Sequence, residues 1–348
     1  PPPNNARKAN HMVLNDDWLN LTPEEALEPD LPILDPHHHL WERPGNRYLL
    51  DDLVADTASH AVRQTVFIEC GSMYRPNGPS ELMPVGETEF VQGIAAQSAN
   101  GGYGDTAAAA GIVGTADLTR GDNVSAVLEA QIVASPGRFR GIRHRAAWPE
   151  RTPMPSQPAS AEHLLLDPAF RAGFNRLRHY ALSFEAWVFH THLDDVADLA
   201  RAFPDTSIIL NHLGGPIVTD ETRDEVFENW RPKIAAIAES PNVVMKLGGI
   251  QMVVNGFGWD QRERPPSSDQ LVETNRPWYE YAIEQFGPDR CMFESNFPVD
   301  RLSCSYTVLW NQFKKLSQGF PTEERIAMLH DTAARIYRLP LASDASSS

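Results

Sequence analysis

Short apolar runs rich in β-branched residues alternate along the chain with longer amphipathic segments. The short runs predict strands and the longer ones predict helices that bury one face. Residues 124–135 illustrate the pattern of an amphipathic helix, because Val124, Val127, Leu128 and Ile132 lie along one stripe of such a helix. Strands are predicted at residues 32–35, 65–70, 111–116, 139–144, 183–189, 207–211, 242–247 and 291–294.

The helices predicted between these strands complete a repeating strand–helix pattern. Such alternation implies parallel pairing, and eight units match the α/β class known as the (β/α)8 or TIM barrel. An open doubly wound sheet is the rival, but it would carry a glycine-rich loop after the first strand, where this chain has histidines. The predicted helices span residues 87–99, 124–135, 168–180, 193–203, 223–239, 277–286, 308–316 and 322–339.

The pattern also predicts the domain organisation. We expect an N-terminal extension at residues 1–30, one barrel at residues 31–340 that ends in an extra C-terminal helix, and a disordered tail at residues 341–348. The extension is polar and rich in Pro, Glu and Asp, so we expect it to wrap the surface of the barrel.

Composition narrows the function. The 348 residues carry a net charge of −16, which argues against a nucleic-acid partner. No run approaches the roughly 18 apolar residues of a membrane helix, so no membrane partner is expected. Three cysteines favour a reducing, cytoplasmic compartment over a disulfide framework. The expected partner is a small-molecule substrate, and homo-oligomerisation stays open.

The chemistry is concentrated where predicted strands end. In the segment DPHHHLW, at residues 35–41, His37 and His39 share one face of an extended backbone, while His38 points away. Two convergent imidazoles make half of a divalent metal site. Since a barrel gathers its strand ends at one mouth, the remaining polar strand-end residues should surround them: Glu69, Arg143, His144, Arg145, His190, His192, Asn211, His212, Lys246, Glu294, Asn296 and Asp300.

These motifs resemble the amidohydrolase superfamily, in its lactonase-like amidohydrolase 2 branch. The resemblance rests on the 35–41 segment, on LNHLG at 210–214, on MFESNFP at 292–298 and on DTAARIY at 331–337. It implies a TIM barrel and a divalent ion, zinc or manganese, and it also allows a metal-free enzyme. The implied ligands are His37, His39, His212 and, less directly because His192 is near, His190.

Strand eight departs from the family pattern. The family ends this strand with an Asp that takes a proton from the attacking water, whereas this chain has Asn296. A neutral amide cannot act as that base, although its carbonyl can ligate a metal or orient a water. Three carboxylates could replace the Asp: Glu294, Asp300 and Glu69. Glu294 could instead form an ion pair with Lys246 inside the barrel.

Substrate-binding candidates flank the same mouth. Arg143 and Arg145 alternate with His144, so either the arginines or the histidine face inward. Inward arginines would form a clamp for a carboxylate and favour an anionic substrate. Tyr74 and Trp259 lie on long loops after strands two and seven and could stack on a ring or pack the loops down.

The predicted function is therefore a hydrolase of a lactone or related cyclic ester, in which activated water attacks the carbonyl. Without a metal, the histidines, including His212, would polarise that carbonyl directly. The alternative is a metal-dependent decarboxylase of an aromatic or unsaturated acid, which Asn296 weakens because such chemistry usually keeps the acid. A binding protein that has lost catalysis is a third hypothesis, supported only by Asn296.

Overall fold

The computed structural model describes residues 15–148 and 161–341. Eight strands pair in chain order, each parallel to the next, and helices connect them as in a (β/α)8 barrel. The fold prediction is thus confirmed. The strands are β1 (Ile33–His38), β2 (Trp41–Arg43), β3 (Asn46–Tyr48), β4 (Val62–Ile68), β5 (Ala107–Gly114), β6 (Phe139–Arg143), β7 (Ser183–Ala186), β8 (Ile208–Leu210), β9 (Val243–Leu247) and β10 (Cys291–Phe293), of which β2 and β3 form a separate antiparallel hairpin.

The first strand, together with His39 directly after it, meets the segment that follows the last strand. His38 bridges Phe297, and the backbone N–H of His39 donates to the Phe297 carbonyl at 2.8 Å. Asp35 completes the seam, because its carboxylate accepts from the backbone N–H of Ser295 at 3.0 Å. These bonds bring the histidine segment beside the end of strand β10.

Helices predicted from amphipathic spacing are present, with clearly different boundaries in three places. The helix predicted at residues 168–180 ends at Phe174. The helix predicted from residue 277 begins at Ser268, because the Ser267 hydroxyl caps the backbone N–H of Gln270 and Pro277 lies inside the helix. The segment predicted as one helix from 322 is divided by a π-helical turn at Ala327–Asp331. The helices are α1 (Asp16–Leu19), α2 (Leu50–Thr57), α3 (Val85–Ser98), α4 (Ser125–Ala134), α5 (Pro168–Phe174), α6 (Leu193–Ala202), α7 (Arg223–Ala238), α8 (Ser268–Phe286), α9 (Tyr306–Ser317), α10 (Thr322–Ile326) and α11 (Thr332–Tyr337).

The barrel interior is apolar at its lower end. Side chains two residues apart lie on the same face of a strand. Lys246 therefore lies in the layer above Val244, and Glu294 lies in the layer above Met292. On strand β9 and at the end of β10 the interior therefore changes from apolar to charged within two residues. The lower layer consists of Leu34, Val66, Ile68, Val113, Ile209, Val244 and Met292, closed from below by Ala333, Ala334 and Tyr337.

The described part of the N-terminal segment lies against α9 and the loop before α8. The Trp18 indole donates to the Arg262 carbonyl at 3.1 Å, and the Lys314 ammonium donates to the Leu27 carbonyl at 2.7 Å. The predictions for residues 1–14 and for the tail at 342–348 fall outside the described residues. Within the described ranges, no helix combines the length and apolarity needed to cross a membrane. All three cysteines are free and buried.

Candidate active site

Two imidazoles converge on one carboxylate at the mouth of the barrel. The Nδ1 atom of His37 lies 2.6 Å from Oε2 of Glu294, and the Nδ1 atom of His212 lies 2.7 Å from Oε1. All three side chains are buried, and their ligand atoms lie within 4.8 Å of one another. Strand β1 and the segments that follow β8 and β10 thus supply one compact His–His–Glu cluster.

A bulge in β1 turns His37 inward. Leu34 belongs to the interior layer, so strict alternation would point His38 inward as well. The pairing with β4 shifts between Asp35 and His38, and such a bulge re-aims the side chains beyond it. His38 accordingly points outward, where its ring contacts the Thr65 hydroxyl at 2.8 Å.

His212 is placed by an unusual backbone. Its φ is +54°, a left-handed conformation that a non-glycine residue adopts only when its surroundings hold it there. Gly249 packs directly against its ring: a Cβ on Gly249 would lie 2.1 Å from Nδ1 of His212. The Trp187 ring also lies edge-on to His212, with 4.8 Å between ring centroids.

Burial keeps the site histidines neutral. It is the largest cause that lowers the pKa of His37, His39 and His212 below the ordinary value. The Lys246 charge lowers the pKa of His37 further, and Arg143 does the same for His39. A neutral imidazole keeps a lone pair, so each ring can accept a hydrogen or ligate a metal.

A buried ion pair supports the cluster from below. The Lys246 ammonium lies 2.9 Å from Oε2 of Glu185, 3.3 Å from Nδ1 of His37 and 4.0 Å from Oε2 of Glu294. Glu185 also accepts hydrogen bonds from the Asn211 amide and the Tyr337 hydroxyl. The ion pair offsets the charge of Lys246 beside the histidines, so its ammonium opposes a bound cation less than an unpaired lysine would.

His39 lies beside the cluster and contacts Asn296. Its ring centroid is 5.0 Å from that of His37, so the two rings are neighbours, but His39 is not one of the three residues of the ligand cluster. Its Nδ1 contacts the Ile68 carbonyl at 2.8 Å, and its Nε2 lies 3.3 Å from Oδ1 of Asn296. The Asn296 amide in turn donates to Asp300 at 2.9 Å.

Glu69 is held by both arginines of strand β6 and its continuation. Arg143 Nε donates to Oε1 of Glu69 at 2.8 Å, and Arg145 bonds both carboxylate oxygens at 3.0 and 3.2 Å. Burial raises the pKa of Glu69, but the two guanidinium groups outweigh it and hold that pKa below its ordinary value. The arginines therefore face inward, while His144 faces outward, accepting from the backbone N–H of Leu118 at 3.1 Å.

The remaining predicted site residues lie outside the cluster. The structure does not bring His190 into it: its Nδ1 accepts from the backbone N–H of Ile217 at 3.3 Å. Trp259 is buried, with the Arg262 guanidinium 4.0 Å above its ring, so it packs its own loop. Tyr74 is exposed near Glu69 and Arg145, whose charges act on its phenol.

The central cluster fits a divalent metal by its chemistry. Two neutral imidazoles and one carboxylate form the His2Glu set found in catalytic zinc sites. In the described ranges, no other group of three or more His, Cys, Asp or Glu residues has its ligand atoms within 4.8 Å of one another. His37, His212 and Glu294 are therefore the residues that could hold the ion.

Sequence reasoning missed Glu185, Tyr337 and Trp187 as parts of the site. The sequence did offer a signal for Glu185, because it is a charged residue inside the fully buried strand β7. Tyr337 ends the DTAARIY motif, but nothing in that motif indicated a site role, since the side chain reaches the barrel interior from the C-terminal helix α11.

The barrel, with its cluster of imidazoles and a carboxylate at the carboxyl ends of the strands, has the arrangement of a (β/α)8 enzyme. The protein-family model described as Amidohydrolase matches residues 34–339, and the chain belongs to that family. It is 32% identical over 332 residues to the uncharacterized protein y4mH of Sinorhizobium fredii, covering 89% of this chain and 99% of y4mH.

Two other similarities concern Burkholderia multivorans proteins. The chain is 25% identical over 324 residues to an L-fucono-1,5-lactonase, covering 90% of this chain and 98% of the relative. The solved structure of an amidohydrolase with bound zinc superposes with a TM-score of 0.68 at 23% identity, covering 88% of this chain and 99% of that one. The similarity to this solved structure supports the (β/α)8 fold.

Proposed function

We propose that this protein hydrolyses a lactone of a sugar-acid type at the His37–His212–Glu294 cluster. The observation that carries the proposal is the convergence of two neutral imidazoles on a buried carboxylate at the barrel mouth. The L-fucono-1,5-lactonase named among its relatives supports a cyclic ester of a sugar acid as the substrate class.

The reaction requires a proton acceptor and stabilisation of negative charge on the carbonyl oxygen. Water attacks the carbonyl carbon, the bond to the ring oxygen breaks, and the water proton passes through an acceptor to that oxygen, giving a hydroxy acid. In this proposal Glu294 accepts the proton, because the oxygens of Glu69 are held by two arginines. In this proposal His212 polarises the carbonyl.

His37, His212 and Glu294 are the proposed metal-holding residues, in line with zinc in the solved amidohydrolase structure. A divalent ion there would supply Lewis acidity to the lactone carbonyl and lower the pKa of the attacking water towards about 7. Lys246, which is paired with Glu185, contacts both His37 and Glu294 and helps to hold them in place.

The finer proposal is an anionic substrate bound through Arg145. The Arg145 side chain is 24% exposed. One edge of its guanidinium group bonds Glu69, and the exposed ring of Tyr74 lies nearby. A guanidinium recognises a carboxylate through a planar pair of N–H groups. Arg143 is 5% exposed, so it supports Glu69 rather than the substrate.

The test is a panel of sugar-acid lactones, simple lactones and aromatic carboxylic acids, assayed with zinc- or manganese-loaded protein. We expect release of ring-opened acid, measured with a pH indicator, and no carbon dioxide. Glu294→Gln should lower kcat about 100-fold or more, whereas Glu228→Gln, at an exposed position on α7, should not. Carbon dioxide release without ring opening would instead establish the decarboxylase.

A further inference from the structure

Asp35 is a fully buried carboxylate that lies just outside the ligand cluster. Among the described residues it has no ion-pair partner, and four hydrogen-bond donors surround it instead. The backbone N–H groups of His37 and Ser295 donate to Oδ1 at 3.3 and 3.0 Å. The hydroxyl groups of Ser295 and Tyr306 donate to Oδ2 at 2.5 and 3.1 Å. Burying a carboxylate without a cation is costly, so its place at the barrel seam needs a reason.

The bond from His37 to this carboxylate spans the bulge in β1. The pairing advances by three residues on β1, from Asp35 to His38, and by two residues on β4. Pro36 lies inside the bulge and has no N–H to donate to a neighbouring strand. The Asp35 carboxylate accepts the N–H of the following residue, His37, and so closes a tight turn of the kind that Asp favours. This turn directs the His37 ring into the barrel.

The same carboxylate also holds the segment that carries Glu294. Ser295 directly follows Glu294 and donates to both carboxylate oxygens, through its backbone N–H and its hydroxyl group. The next residue, Asn296, donates its backbone N–H to the His37 carbonyl at 2.9 Å. One buried acceptor group therefore fixes the backbone of two cluster residues, His37 and Glu294, relative to each other.

We propose that Asp35 is a positioning residue, which holds His37 and Glu294 at the separation that a shared divalent ion requires. The proposal rests on the metal site of the proposed function. Because Asp35 alternates with the inward-facing Leu34, it lies on the outer face of β1, where Tyr306 of α9 bonds it. It therefore acts through the backbone of the ligands and contacts neither the ion nor the substrate.

The test separates hydrogen-bond acceptance from negative charge. Asp35→Leu removes the acceptor at similar volume, whereas Asp35→Asn loses the charge and keeps one oxygen for the two backbone N–H groups. We expect Asp35→Leu to weaken zinc binding about 10- to 100-fold, and Asp35→Asn to retain most of the affinity. Competition with a chelating dye measures the affinity at pH 8, where Asp35 is ionised because burial raises its pKa only to about 6.

Tyr306→Phe is the matched control. It removes a donor to the same carboxylate that comes from α9 and not from a ligand segment, so it should lower the free energy of unfolding and leave zinc affinity unchanged. If Asp35→Leu does not fold, Asp35→Ser replaces it. Its shorter side chain can accept the N–H of His37 but cannot reach both groups of Ser295, and we expect about 10-fold weaker zinc binding.

Two outcomes of these measurements would overturn the proposal. One is unchanged zinc affinity in Asp35→Leu, or in Asp35→Ser where that variant replaces it. The other is an equal loss of affinity in Asp35→Asn and Asp35→Leu, because it would show that the charge of Asp35 matters and its hydrogen bonds do not.

A readout without metal or substrate distinguishes this proposal from the proposed function. Nδ1 of His37 and Oε2 of Glu294 lie 2.6 Å apart. In crystals of the metal-free variants, this distance should increase by more than about 0.5 Å in Asp35→Leu and stay unchanged in Asp35→Asn. An unchanged distance in Asp35→Leu would refute the positioning role. An increased distance in a protein that binds no zinc and hydrolyses no lactone would refute only the proposed function.

Discussion

His37 and Glu294 meet across the seam of the barrel, with 2.6 Å between Nδ1 and Oε2. The first lies on the first strand and the second directly follows the last, so the cluster forms only when the barrel closes. The Asp35–Ser295 bond beside them fixes the two strand ends in register. Closure of the barrel and assembly of the site are therefore one event.

Replacing His37 should remove metal binding, whereas replacing its neighbour should not. His37→Ala deletes one of three proposed ligands, and we expect the affinity for zinc to fall roughly 100-fold or more. His38→Ala deletes an outward ring bonded to Thr65, so metal content should stay near that of the unmodified protein. Elemental analysis after dialysis against limiting zinc measures both. Equal zinc content in the two variants would contradict the proposed ligand set.

Arg145 should discriminate charged from neutral substrates. Arg145→Met should raise KM about 10-fold or more for lactones that carry a carboxylate, because hydrogen bonds to charged groups contribute roughly 1.5–3 kcal/mol. KM for neutral lactones should change little. Arg120→Met, which breaks a partly exposed pair with Glu81, is the control. The same rise in KM for both substrate groups would show that Arg145 supports the fold of the mouth rather than an anion.

The alternation of apolar runs was enough to predict eight strands and their parallel order, because each strand of a barrel is buried on both faces. It also indicated that Lys246 and Glu294 lie near the mouth, since Lys246 is the last but one residue of β9 and Glu294 directly follows β10. Local spacing correctly paired His37 with His39 and set Arg143 and Arg145 on one face.

Other features depend on contacts that spacing does not encode. The bulge in β1 decides that His37 points inward, and it is visible only in the pairing with β4. Tyr337 reaches Glu185 from a distant helix. The outward position of His144 follows from the direction of β6, which alternation leaves undetermined. Such features are set by tertiary packing, which local spacing alone does not determine.

Glu87 should give the protein a measurable pH dependence. Burial first, and then the charge of Glu69, raise the pKa of Glu87 to about 7, against an ordinary value of 4.5. Between these values the folded state holds a proton that the unfolded state has lost, so stability falls as pH rises through this window. Glu87→Gln keeps an oxygen for the backbone N–H groups of Cys70 and Ser72. It should be more stable than the unmodified protein by up to about 3 kcal/mol at pH 8 and equal to it near pH 4.

Glu89, on the same helix α3, is a control for which the opposite dependence of stability on pH is expected. Its hydrogen bonds with Arg75 lower the pKa of Glu89, so the ionised form stabilises the fold. Glu89→Gln should therefore lose stability above about pH 4.5 and none below the folded pKa. Urea unfolding at pH 4, 6 and 8 measures both variants. Parallel stability curves for Glu87→Gln and the unmodified protein would show that Glu87 does not titrate in this window.

Gly249 should be required for the position of His212 and not only for backbone conformation. Its φ is +65°, so Gly249→Ala incurs roughly 1–2 kcal/mol of left-handed strain, and the new Cβ would lie 2.1 Å from Nδ1 of His212. Gly258→Ala is matched, since its φ is +69° and no atom lies within 4 Å of its Cβ position. Both variants should lose similar backbone stability, but Gly249→Ala alone should also lose zinc binding and turnover. Thermal unfolding with zinc titration separates these effects, and unchanged zinc affinity in Gly249→Ala would remove His212 from the ligand set.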